Sequence, residues 1–177
     1  YPEGGAEDYG FVATLSLRAV IANLPDVLIR YRISAGSLTR VHWERQESHA
    51  DEIVRQLIAA ISGAAISHER VRLIRGLSRD QFPTRVDDIA AIADMIRALT
   101  PQYVAHMLTL GSDPSPIPHD AAIRLWLLGA IALKRSPPLA FRIAAEALRL
   151  KPSAALSFVT KVVRRLYASA RAVARDT

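Results

Sequence analysis

The chain has 177 residues, half of them hydrophobic, which allows a packed core and excludes wholesale disorder. It has no cysteine, which excludes disulfides and thiolate metal sites, and no uncharged apolar run reaches the roughly 18 residues of a membrane span. Net charge is +6, and only three of the 23 basic residues are lysine. A basic balance rich in arginine admits a phosphorylated substrate, an anionic membrane surface or nucleic acid as partner.

Residues 1–6 read as a loop, broken by Pro2, Gly4 and Gly5. A short helix is expected over 7–18, opened by Glu7 and Asp8, where acids suit the free N–H groups of a first turn. Val20 to Leu24 and Val27 to Ile33 are rich in branched residues and separated by Pro25-Asp26. They are expected to be two short strands around a turn, with Arg30 and Arg32 on one face of the second. Ser34 to Thr39 is a small-residue loop.

From about residue 41 the pattern is helical throughout. Ile53, Val54, Leu57, Ile58 and Ile61 form an i, i+3, i+4 stripe that stops near Gly63. A shorter helix carries Val71, Leu73 and Ile74 and ends at Gly76. Thr84 with Asp87 resembles a capping box, and the helix behind it should bury Val86, Ile89, Ile92, Ile96 and Leu99. Thr100-Pro101 is expected to start another helix. Gly111 to Pro118, with three prolines, is expected to be a loop. Three further helices are expected at about 119–134, 137–150 and 153–173, as antiparallel neighbours. Trp126 to Gly129 and Ala144 to Leu150 loosely echo a tetratricopeptide helix pair, but one copy does not make a repeat array, so a generic bundle is expected.

Several pieces stand in a telling order: Ala6-Glu7-Asp8-Tyr9 at a helix start, then Asn23 to Arg32 (NLPDVLIRYR), the Ser34–Thr39 loop, and Arg45-Gln46 on a helix. This order resembles the end of the catalytic domain of family 2 glycosyltransferases, which have the GT-A fold. The resemblance covers about residues 1–47. It implies a short α/β remnant of a GT-A catalytic domain over 1–47; with the helical pattern beyond it, the chain is expected to be mainly α, with an α-helical extension over 48–177. Because the chain begins at Tyr1 inside the pattern, it is expected to be the C-terminal piece of a longer protein.

The resemblance also implies chemistry. Asp8 would be the general base of an inverting sugar transfer, and Glu7 would orient it or bind the acceptor. Tyr31, Arg32 and Arg45 would be substrate-binding, with Arg32, and more weakly Arg40 and Arg45, facing the leaving nucleoside diphosphate. The partners implied are a nucleotide-sugar donor and a glycan or lipid-linked acceptor. A divalent metal, Mg or Mn, would be bound mainly by the N-terminal half that this chain does not contain, and the fragment alone would be inactive. Two features depart from the family: Ser34 stands where many members have a histidine, and Asp87-Asp88 in a predicted helix is no Asp-x-Asp metal motif. The five histidines lack the three- or four-residue helical spacing of a metal pair.

Simpler readings stand beside these. Glu7 and Asp8 also suit plain helix-start acids, and each arginine suits a solvated surface pair. The last expected helix has Lys161, Arg164, Arg165, Arg171 and Arg175 interleaved with Val159, Val162, Val163, Leu166 and Tyr167. It fits either an anionic membrane surface or a bundle helix with a wet basic face. The alternative function is a non-catalytic helical interaction or membrane-surface module. Nothing in the pattern points to specific nucleic-acid recognition. The expected location is the cytoplasm, with peripheral attachment to the inner face of the membrane as a further option.

Overall fold

The computed structural model describes residues 6–30, 43–77 and 82–160. It is mainly helical. The elements are α1 (Glu7–Ser16), α2 (Trp43–Ser62), α3 (His68–Leu77), α4 (Val86–Thr109), α5 (Pro116–Leu133) and α6 (Pro137–Leu150), and residues 154–160 are again helical.

The core is made by α4, α5 and α6. Ile89, Ile92, Ala93 and Ile96 of α4 meet Ala121, Leu125, Leu128 and Ala132 of α5 and Ala140, Ile143 and Ala147 of α6, with Leu77 of α3 joining them. Each set recurs at three- and four-residue steps, so each helix offers one stripe. The most extensive packing is between α5 and α6, whose three-residue connection makes them neighbours. Small residues draw these two helices together: a Cβ at Gly129 would lie 3.5 Å from the Ala140 carbonyl oxygen. Trp126 of α5 then stacks on Phe158, with ring centroids 6.3 Å apart, which ties the last described turns to the bundle.

A second contact layer joins α2 to α1, α3 and α4. Of the expected α2 stripe only Ile58 is fully buried, and Ile53, Val54, Leu57 and Ile61 are half-buried. Between α2 and α3 lies a charged seam instead. The Asp51 carboxylate is buried and accepts hydrogen bonds from Arg75 Nη1 and from Arg72 Nε, the latter at 3.3 Å. Arg75 Nη1 also donates to the Glu47 carbonyl oxygen at 3.1 Å.

The two strands expected at 20–24 and 27–33 are not seen: no strand occurs among the described residues, and 31–33 lie outside them. The physical reason is that a strand needs a partner for its backbone N–H and C=O groups. Among the described residues nothing pairs with this segment, and residues 20–30 are exposed throughout. Three helix boundaries also differ. α4 runs unbroken through Pro101. The i→i−4 bond a proline removes costs about 3 kcal/mol, and here Ile92 and Ile96 before it and half-buried Tyr103 and Met107 after it keep the helix in line. α4 begins at Val86 with Arg85 in the cap position and no side-chain cap, so Thr84 falls one residue short of its expected role. α5 begins at Pro116, inside the expected loop, because prolines in a first turn forgo N–H groups that would lack partners anyway.

Candidate functional site

The site implied by the sequence rests on the first turn of α1. Glu7 and Asp8 are both exposed there. Ala6 occupies the cap position and has no side chain to cap with; the Asp8 carboxylate accepts the Tyr9 N–H at 2.7 Å and so satisfies one of the free donors itself. This is the local role expected of a helix-start acid.

Below that turn, α1 and α2 flank a groove of about 410 Å³. Gly10, Ala13, Thr14 and Leu17 line one wall, and Ile53, Gln56 and Leu57 the other. The lining is largely apolar, with Thr14 and Gln56 as its hydrogen-bonding groups. Neither Glu7 nor Asp8 is part of it. Tyr9 of α1 lies close enough to Tyr103 of α4 to affect it electrostatically. Burial pushes the Tyr103 phenol up to about 12, with Tyr9 adding to the rise.

Of the other expected site residues, Arg45 is exposed in the first turn of α2. Among the described residues no hydrogen bond or ion pair connects it to Asp8. Tyr31, Arg32 and Arg40 lie outside the described residues, as do Ser34 to Thr39. The structure therefore brings Glu7 and Asp8 together on one turn, with Arg45 on a neighbouring element. Among the described residues no group of three or more His, Asp or Glu side chains could hold a metal ion.

The best-built charge constellations were not singled out from the sequence. The first is the Asp51–Arg75–Arg72 seam with Glu47, whose Oε2 lies 3.5 Å from Arg75 Nη2. Its signal was legible: Glu47 and Asp51 are four apart on α2, Arg72 and Arg75 three apart on α3, so each pair shares a face. The second centres on Glu52. Arg55 grips its carboxylate with two bonds of 2.6 and 2.7 Å, Gln56 adds one at 2.8 Å, and His68 Nε2 lies 3.4 Å away. The hydrogen bonds from Arg55 lead in lowering the Glu52 carboxyl to about 2, against the opposing effect of burial. Both constellations use up their charges in tying α2 to itself and to α3, which marks them as structural.

Among the described residues no helix is long and apolar enough to cross a membrane. Comparison with known protein families, with characterised proteins and with solved structures finds no match to this chain.

Proposed function

We propose that residues 1–47 form the acceptor side of an inverting glycosyltransferase site within a longer protein. The reading rests on the order of Glu7-Asp8, NLPDVLIRYR and Arg45-Gln46. The observation that carries it is the exposure of both carboxylates in the first turn of α1, where an acceptor can reach them. It is supported by residues 20–29, where Val27 is 87 % and Ile29 81 % exposed. A run of branched residues in water is costly to leave uncovered, so this segment suits a surface that another part of a protein closes over.

In this reading Asp8 accepts the proton of the acceptor hydroxyl as its oxygen attacks the anomeric carbon of a nucleotide-sugar. The new C–O bond forms as the bond to the nucleoside diphosphate breaks, with inversion at that carbon. Negative charge builds on the leaving diphosphate, and an arginine such as Arg32 or Arg45 neutralises it through a fork that fits two phosphate oxygens. Glu7 orients Asp8 or binds the acceptor. The test compares sugar transfer from a panel of donors by the full-length gene product and its Asp8→Asn form. A fall in turnover of about 100-fold or more is expected from loss of a general base, and unchanged turnover would remove the assignment.

A second reading is favoured by the core itself. The buried cluster is built entirely from Leu77 onward and takes nothing from residues 6–30. A helical interaction module would have this property, and it would retain its partner when Asp8 is replaced.

A further inference from the structure

α6 has a stripe that its packing does not require. Ala140, Ile143 and Ala147 are buried on the bundle side. Phe141, Ala145 and Leu148 recur at i, i+4 and i+7 on the outer side, where Phe141 is 70 % and Leu148 45 % exposed. Arg142 and Arg149 each follow one of these residues by one position, are seven apart, and are exposed, so a row of cations runs beside the apolar row. Lys134 and Arg135 add two exposed cations in the turn before α6. Two acids lie in this region: Asp94 of α4, whose Oδ1 is 3.8 Å from Arg142 Nη2, and Glu146, half-buried and beside Arg97, Leu125, Arg149 and Leu150 in a small cavity. After α6, residues 154–160 expose Leu156 and Val159.

The charge of the whole chain is divided in the same sense. Residues 133–177 hold ten Lys or Arg and two Asp or Glu, a balance of +8. Residues 1–132 hold thirteen against fifteen, a balance of −2. The net +6 is therefore located in the last quarter of the sequence; Lys134, Arg135, Arg142, Arg149 and Lys151 are its described basic residues, and the other five lie outside the described residues.

Three kinds of partner would meet this face differently. A second copy of the chain would bring two strongly positive ends together, which like charges oppose. A nucleic acid would satisfy the cations but offers no apolar phase for Phe141 and Leu148. An anionic lipid surface satisfies both: apolar side chains enter the headgroup–acyl boundary while Arg and Lys stay among the headgroups.

We propose that the outer face of α6, with the helical turns after it, docks on an anionic lipid bilayer. This goes beyond the sugar-transfer reading and does not depend on it. The test is flotation of the whole chain with vesicles of phosphatidylcholine alone and of an equimolar phosphatidylcholine–phosphatidylglycerol mixture. The chain floats with the mixture and not with phosphatidylcholine, and the bound fraction falls as salt is raised. Phe141→Ser with Leu148→Ser leaves the charge unchanged and lowers partitioning roughly ten-fold or more, because two large side chains no longer leave water. Arg142→Gln with Arg149→Gln lowers it several-fold and flattens the salt dependence. Circular dichroism melting confirms that the variants, all at exposed positions, remain folded. Equal flotation with both vesicles would overturn the proposal. So would parent-like flotation of the Phe141/Leu148 variant, since attraction would then be charge alone. Binding of a DNA duplex with no flotation would assign the face to nucleic acid instead. The readout involves no sugar transfer, so failure here leaves the Asp8 assignment standing, and failure of Asp8 leaves this one.

Discussion

Gly111 and Gly129 show how one residue type carries opposite consequences. Gly111 follows α4 with φ +66°, and the Gly111 and Ser112 N–H groups donate to the carbonyls of Leu108 and Met107 at 3.0 Å each. This is a Schellman closure, and its left-handed residue tolerates a Cβ poorly. Gly111→Ala should cost about 1 kcal/mol from backbone strain alone, since a Cβ there meets nothing within 4 Å. Gly129 is buried mid-helix in α5, yet a Cβ there finds ordinary contact distances to α6. Gly129→Ala should therefore stabilise by about 0.5–1 kcal/mol through helix propensity. Urea unfolding of the two variants checks both signs; a large loss in Gly129→Ala would mean that α5 and α6 cannot part by a few tenths of an ångström. Glu52 gives a pH dependence with a definite sign. Its carboxyl is held at about 2 against a reference value of 4.5. The stability it contributes is complete above about 4.5 and is lost as pH falls toward 2. Glu52→Gln should lose stability at neutral pH and show a shallower decline over that acid window, read from denaturant midpoints against pH.

At the level of elements, the α2–α3 contact depends on charge in a place where the apolar stripe of α2 is only half-buried. Asp51 and Arg75 are both largely removed from water, so removing Arg75 leaves the buried carboxylate with only the longer bond from the exposed Arg72. Arg75→Met should destabilise by about 3 kcal/mol. Adding Asp51→Leu to it should recover most of that loss, because the desolvated carboxylate goes as well. Thermal melts of the single and double variants decide this, and a double variant as weak as the single would indicate that Arg72 and Glu47 depend on the pair. The helices themselves were readable from the sequence because each core stripe recurs at 3.6-residue spacing. Their ends were less so: Pro101 and Pro116 look alike as punctuation, but packing on both sides carries α4 across the first while the second sits harmlessly in a first turn.

For the molecule as a whole, burial is concentrated in α4, α5 and α6, and thins toward the N-terminal segment. Ile89, Ile92, Leu125, Leu128 and Ile143 are fully buried, whereas residues 20–30 are exposed along their length. Local opening should follow this gradient. Amide hydrogen exchange is expected to be slowest in the middle of these three helices and fast throughout 20–30. Slow exchange in 20–30 would mean that the segment is paired in solution. The two strands expected there are not seen, although the segment has strand composition, rich in Val, Leu and Ile. Composition cannot supply the neighbouring strand that gives such a segment its hydrogen bonds. The candidate site was legible only as an order of residues: Glu7 and Asp8 do share an exposed helix turn, Arg45 sits on another element, and Tyr31 and Arg32 lie outside the described residues.

Periodicity by itself determined that the chain is mainly helical beyond about residue 41, and composition that its last quarter is strongly basic. Both properties are local sums over residues, and no fold is needed to count them. Only the tertiary structure decided which stripes became core. It buried Ile143 and left Phe141 in water two residues away, placed Asp51 between two arginines, and left residues 20–30 exposed with no strand partner among the described residues. Those outcomes depend on which helix lies beside which, and that is set by contacts between residues far apart in the chain.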